Sequence, residues 1–487
     1  MNGNSLNGKI ISATKWSSIT EVVSKLVTPI TQMILARMIA PEEFGIIATV
    51  TMVVSFVDMF TDAGFQKYLI QHQFKDEEEK HRFANVAFLT NLAISLLLWT
   101  LIIIFSNEVA ILVGNAGLGN VIAIACIQLP ITAFSSIQMA LYKRDFNFRI
   151  LFKVRMVTIL IPLLVSIPLA LLGFSFWSLI IGTITMQFLN SIILTISSNW
   201  KPTLYFEKNV LKEMLSFSLW SLMESVSIWL TTWIDVFIIG SLVSQYYLGI
   251  YKNSLSIVNA LMALVTSSII PVLFSVLSRL QNDDKQFLEV FLKVQKIVAI
   301  LIIPLGTVVY LYSDFITLVL LGENWIEAKD IIGNWALTSA IMVVLSNLCS
   351  EVYRAKGRPK LSLFAQLSHL IVLIPVCLIS SHYGFWTLVY TRSWVRLELV
   401  IVNMFLMRLV IGIPVLKILK NVGPPIVSAL FMGIFKFFIE GLFFGFAGII
   451  ISILFCFLVY FVILILFPSV RSDFKIYLKL LKVRLHH

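Results

Sequence analysis

The chain has 487 residues, 59% hydrophobic and 13% charged, with a formal net charge of +11 and a mean hydropathy of +0.93. That is far more apolar than a soluble protein, and no stretch between apolar runs reaches the roughly 50 residues of a soluble domain. The composition excludes a soluble protein on an anchor; it turns the positive charge toward membrane topology and acidic lipids, and no nucleic-acid partner is expected.

Apolar runs of about 18 residues or more, enough to cross roughly 30 Å of hydrocarbon, recur from end to end. About fourteen spans are expected, at roughly 16–38, 45–70, 84–106, 118–142, 154–173, 176–197, 214–240, 249–273, 293–313, 331–353, 361–381, 384–406, 426–446 and 447–467. The expected fold class is an all-α polytopic membrane protein. The polar start lacks a cleavable signal pattern, so the first hydrophobic helix is expected to act as the insertion signal.

Basic and bare loops alternate along the chain. Lys75, Lys80 and Arg82, then Lys143, Arg144, Arg149 and Lys153, then Lys201, Lys208 and Lys212 are separated by loops without a cation. The second half repeats this with Arg279, Lys285 and Lys293, with Arg354, Lys356, Arg358 and Lys360, and with Arg408, Lys417 and Lys420; Lys329 is the one cation in the bare set. Excess positive charge stays on the cytoplasmic side. Both termini are therefore expected on the cytoplasmic side. The outer loops are too short for an external catalytic domain. Lys75–Lys80, with its four acidic residues, reads as a solvated loop, and the basic tail from Arg471 as an interfacial helix. Cys126, Cys349, Cys377 and Cys456 each sit in an apolar run and read as buried thiols.

A weak internal repeat is visible. Trp16-Ser17 matches Trp220-Ser221 and Phe44-Gly45-Ile46 resembles Leu248-Gly249-Ile250, since 220−16 and 249−45 both give 204. Tyr142-Lys143 resembles Tyr353-Arg354 and Gly173-Phe174 matches Gly384-Phe385, with 353−142 and 384−173 both giving 211. Two pseudo-repeated six-helix bundles plus two C-terminal helices follow, with lobes at 1–200 and 201–410 and a remainder at 411–487. An even number of spans per unit makes the repeat parallel.

The opening helices are greasy but striped. Thr14, Ser17, Glu21, Lys25, Thr28 and Gln32 share one helical face, as do Thr51, Ser55, Asp58, Asp62 and Gln66. Span seven carries Ser221, Glu224, Thr231 and Asp235; span eight carries Lys252, Ser256, Asn259 and Thr266. These faces are expected to line one cavity, with Lys25, Asp62 and Glu224 in a layer roughly 12–15 Å from the cytoplasmic edge. Ionised groups at such depth cost several kcal/mol and are functional candidates by default. Two readings stand for Glu21–Lys25 and Asp58/Asp62: structural pairs, or groups that exchange an ion. Shared carboxylates suit a proton, and carboxylates beside hydroxyls suit Na⁺. Arg392 and Arg396, one turn apart in span twelve, suit a phosphate or diphosphate, although Arg392 is near enough to the outer end to snorkel. Lone His369 and the Lys436/Glu440 pair read as structural or local.

There is no P-loop, metal-ligand cluster or Gly-x-Ser-x-Gly. No enzyme activity, metal or cofactor is expected beyond a coupling H⁺ or Na⁺.

Leu35-Ala36-Arg37 running into Pro41-Glu42-Glu43-Phe44-Gly45, then Asp62-Ala63-Gly64-Phe65, Leu141–Phe148, Gly173–Trp177, Trp200-Lys201-Pro202, Asp235–Gly240, Leu321–Trp325 and Ala355–Arg358 together resemble Wzx-type polysaccharide-unit flippases. These belong to the multidrug/oligosaccharidyl-lipid/polysaccharide exporter superfamily. The resemblance implies two six-helix bundles in a V around a cationic cavity and a polyprenyl-diphosphate-linked oligosaccharide as substrate. It further implies ion-driven alternating access from the cytoplasmic to the outer leaflet of a bacterial inner membrane, with membrane lipids and polysaccharide polymerase or export machinery as partners. On that reading Lys25, Lys252, Arg392 and Arg396 attract the diphosphate and sugars, while Asn259, Trp229 and Trp233 meet the glycan. Glu21, Asp58, Asp62, Glu224 and Asp235 are the ion-coupling candidates. Asp58 and the two arginines match no family motif and rest on the physical reasoning alone. An ion-coupled exporter of drugs or organic cations is the main alternative; a glycan polymerase or a scaffold fits the short loops and charged spans less well.

Overall fold

The computed structural model describes residues 3–62, 64–358 and 360–471; the side chains of residues 3–15, Ser18, Asp62, 216–221, Glu224, Ser268 and Pro271 lie outside that description. The basic tail beyond Arg471 and the Trp220-Ser221 half of the repeat lie outside it too.

No strand occurs among the described residues. The first helices are α1 Gly3–Ala36, α2 Pro41–Asp62, α3 Phe65–Gln71, α4 Glu77–Ile104, α5 Ser106–Leu112, α6 Gly119–Ala125, α7 Gln128–Arg144, α8 Phe148–Thr158, α9 Ile167–Leu171 and α10 Trp177–Ser197. There follow α11 Lys208–Leu242, α12 Gln245–Arg279, α13 Asp284–Leu311, α14 Ser313–Leu320, α15 Lys329–Met342, α16 Leu348–Ala355 and α17 Lys360–Ser381. The last are α18 Phe385–Val395, α19 Glu398–Leu406, α20 Val415–Phe438 and α21 Gly445–Leu466. Thirteen described stretches are long and apolar enough to cross a membrane, as an all-α polytopic protein requires. The segment expected at 384–406 is the one that does not qualify. It is parted into α18 and α19 at Arg396-Leu397, and Arg392, Arg396 and Glu398 lower its hydropathy.

The expected single span 45–70 is also parted. Gly64 takes φ 81, a left-handed conformation natural to glycine, and the chain restarts as α3. The acidic run expected to be a solvated loop instead opens α4, with Glu77, Glu78 and Glu79 in its first turn. Asp76 Oδ1 accepts the Glu79 amide at 2.7 Å and so N-caps α4, while Glu79 Oε2 reaches back to the Lys75 amide just before the cap.

By packing, the chain falls into two compact units: one holds the chain up to Asn253 with Cys377–Leu388, the other Ser254–Val376 with the chain from Val389. This grouping cuts the chain differently from the repeat boundaries at 200 and 410, because α11 packs along α2 and α3. In the first unit α7 lies against α10, α4 and α3, and α8 lies against α1 and α10. In the second, α13 packs on α15 and α20, and α20 on α21. Between helices in lipid, close packing and polar ties replace the hydrophobic drive. Asn91 Nδ2 donates to Ser136 Oγ at 2.9 Å in the first unit; Asn403 Nδ2 donates to Ser346 Oγ at 2.8 Å and Tyr353 Oη to Asn403 Oδ1 at 2.9 Å in the second.

Two glycines that the 204-residue offset pairs make a reciprocal contact within the first unit. A Cβ at Gly45 would stand 2.0 Å from the carbonyl oxygen of Gln245, and one at Gly249 would stand 1.8 Å from that of Pro41. Since 245−41 and 249−45 both give 204, each glycine meets the carbonyl that its counterpart's helix begins with. Gly114, at φ 75, likewise meets the Gly240 carbonyl, and Asn115 Nδ2 donates to Thr49 Oγ1 at 3.1 Å. The bare-loop ends of α2, α11 and α12 are thus closed backbone to backbone.

Candidate functional site

Beyond this close-packed end, α2 and α11 carry side chains that bound a cavity. At 1.5 Å per residue, Asp58 lies about 25 Å along α2 from Pro41, toward the basic-loop face. There a cavity of about 360 Å³ opens between α2, α3 and α11, bounded by Ser55, Asp58, Lys67, Trp229, Thr232 and Trp233. Gln66 and Lys67 reach it because the turn at Gly64 re-aims α3.

Its walls are organised by hydrogen bonds and ring contacts. Trp229 Nε1 donates to Ser55 Oγ at 3.1 Å, and its ring lies 4.8 Å from that of Phe56. Thr61 and Thr132 each donate to Asp58 Oδ1 at 3.3 Å. Lys252 Nζ stands 3.7 Å over the Trp233 ring, a cation–π contact. Two indole faces, a carboxylate, hydroxyls and an ammonium line one space. That set offers stacking for the apolar face of a sugar ring and both acceptors and donors for its hydroxyls.

Asp235 is elsewhere. It is 2% exposed, accepts Tyr251 Oη at 2.7 Å and accepts the Val236 amide at 2.8 Å. Its carboxylate ties α11 to α12 near the close-packed end. On α1, Glu21 is exposed and Lys25 half-buried, and no ion pair joins them among the described residues. The side chains of Asp62 and Glu224 lie outside the described residues, and with them the expected layer of three charges.

The second unit gathers the remaining candidates around a residue that the spacing arguments passed over. Trp335 of α15 has the Arg396 guanidinium 4.0 Å and that of Arg392 5.2 Å from its ring centre. Its Nε1 donates to Asn259 Oδ1 at 3.2 Å, and Arg396 Nη1 donates to Ser339 Oγ at 3.0 Å. Arg392 is 7% exposed and so is seated in protein rather than snorkelled into the interface. Two guanidinium groups held on one indole can present paired N–H donors to a phosphate. Just beyond, His369 Nδ1 lies 3.1 Å from Glu398 Oε2, giving the lone histidine a partner.

An all-helical, polytopic chain with charged groups seated inside its spans defines a membrane transporter architecture. A solved structure of the lipid II flippase MurJ in an inward closed conformation has the same fold, with a TM-score of 0.77 at 16% identity over 94% of this chain and 99% of that one. The family model described as "Polysaccharide biosynthesis protein" matches residues 34–330, and the chain belongs to that family. It is 24% identical to the succinoglycan biosynthesis transport protein ExoT of Rhizobium meliloti (strain 1021), over 68% of this chain and 66% of that protein, slightly under two thirds of the relative's length. It is 21% identical to the lipopolysaccharide biosynthesis protein WzxC of Escherichia coli (strain K12), over 77% of this chain and 76% of that protein.

Proposed function

We propose that this protein is a flippase that moves polyprenyl-diphosphate-linked oligosaccharide units from the cytoplasmic to the outer leaflet, for export of cell-surface polysaccharide. The observation that carries the proposal is the cavity where Trp229, Trp233, Asp58 and Lys67 converge, in a chain of the polysaccharide biosynthesis family. An exporter of organic cations calls for an acidic cavity, whereas Lys67 lines this one and Lys252 covers one of its indoles.

The indoles take sugar rings, and Asp58 accepts sugar hydroxyls. In the second unit, Arg392 and Arg396 take diphosphate oxygens; Lys25 attracts the same group electrostatically. Transport is by alternating access driven by H⁺ or Na⁺, which needs an ion with different affinities for the two states. Asp58 is the described carboxylate best suited to that exchange, since hydroxyls alone bond it among the described residues. The basic loops and both termini face the cytoplasm of the bacterial inner membrane, and the polysaccharide polymerase and export machinery receive the flipped unit. Flipping of a labelled lipid-linked oligosaccharide by proteoliposomes tests the proposal; wild-type rates in Trp229→Ala and Asp58→Asn together would remove the cavity from it.

A further inference from the structure

A second cavity, of about 400 Å³, lies in the first unit away from the site above, between α7 and α10. Pro130, Ile131 and Phe134 form one wall and Phe188, Ile192 and Ile196 the other. The two polar residues in its lining, Ser191 and Thr195, are committed to helix contacts. Ser191 Oγ donates to the Ile131 carbonyl at 2.6 Å, and Thr195 Oγ1 accepts from Gln138 Nε2 at 2.9 Å. What faces the cavity is apolar, so it offers an amphiphile a place for its chain and none for its headgroup.

The charge is at one end. Lys201 Nζ donates to the carbonyls of Thr195 and Ile196, the latter at 3.0 Å, so the ammonium sits where α10 and the groove both end. As a bare helix cap it would use two donors; an ammonium has three. From Phe188 to Ile196 is eight residues, about 12 Å of helix, close to the roughly 15 Å of hydrocarbon in one leaflet. A chain lying in the groove would therefore bring its headgroup to Lys201, on the face that carries the basic loops.

We infer that the α7/α10 groove holds one acyl chain of an acidic phospholipid from that leaflet, with the headgroup phosphate on Lys201. The groove shares no residue with the proposed sugar site, so the inference stands whether or not that function holds.

The test uses the full chain purified from nanodiscs containing equal dioleoyl phosphatidylglycerol and dioleoyl phosphatidylcholine, with retained lipid counted by native mass spectrometry. Wild type should retain phosphatidylglycerol with a roughly fivefold preference, the factor that about 1 kcal/mol per membrane-facing lysine corresponds to. Lys201→Gln, at an exposed position, should retain lipid without that preference, and Ile192→Trp, which fills the groove, should lose the retained lipid. Equal retention and equal preference in all three proteins would overturn the inference. So would displacement of the phosphatidylglycerol by an equimolar polyprenyl phosphate, which would make the groove a site for the isoprenoid chain. Melting curves in detergent confirm that each variant is folded, and if Ile192→Trp is not, Lys201→Gln alone decides.

Discussion

Gly45 and Gly249 are each seated on the backbone of the other's helix, so closely that a Cβ on either would fall 2.0 Å or less from a carbonyl oxygen. The contact is symmetric across the repeat, and it shuts the bare-loop end of the first unit. Neither glycine has an unusual φ; it is space, not backbone freedom, that excludes a side chain.

Gly45→Ala and Gly249→Ala should each lower stability by about 1–3 kcal/mol, the usual penalty for overpacking. Thermal melting in detergent measures it. They should also raise the reactivity of a cysteine placed at Thr49 toward an external thiol reagent, because the helices must part to admit the methyl. Unchanged melting in both variants would mean that the contact is loose.

Tyr251→Phe should destabilise more than its single lost oxygen suggests. It removes the 2.7 Å donor to a buried Asp235 carboxylate, and an under-satisfied buried acceptor costs about 1–3 kcal/mol, more when charged. Asp235→Asn in the same background should recover part of the loss, since the amide needs less compensation. The double-mutant cycle reads the coupling.

Trp229→Phe keeps a stacking ring but loses the indole N–H to Ser55; Trp229→Ala loses both. Flipping should fall modestly in the first and strongly in the second. Equal loss in both would mean that Trp229 positions Ser55 rather than meeting the glycan.

Arg396→Ala and Arg392→Ala should each raise the substrate concentration for half-maximal flipping by roughly ten- to hundredfold, the value of a lost charge-assisted hydrogen bond of about 1.5–3 kcal/mol. Arg396→Lys should fall between, keeping the charge and losing the planar fork.

The fold class and most of the spans are legible in the sequence because lipid imposes long apolar helices; the break at Gly64 and the charged 384–406 segment are where that reading fails. The glycines that meet α12 and α2 in the reciprocal contact are themselves 204 residues apart. Of the candidate site, the sequence singles out residues that are charged or aromatic within a span, such as Asp58, Trp229, Trp233, Arg392 and Arg396. Lys67 falls near the end of the expected 45–70 span and reaches the cavity because the chain turns at Gly64, where Asp62-Ala63-Gly64 has the composition of a helix stop. Trp335 carried no signal at all, being one more aromatic in an apolar run; Arg392 and Arg396 reach its ring from the α18–α19 segment, more than fifty residues on in sequence, by packing alone.

The central claim is that this chain flips a lipid-linked glycan, and its most direct measurement is a leaflet-protection assay. Proteoliposomes carry a fluorescent polyprenyl-diphosphate oligosaccharide, and the fraction open to an external quencher is followed over time under an imposed ion gradient. Purified wild-type protein should move the label across, and Arg392→Ala/Arg396→Ala and Asp58→Asn/Trp229→Ala should not. No movement above protein-free vesicles, with transport of a hydrophobic cation in the same preparation, would contradict it.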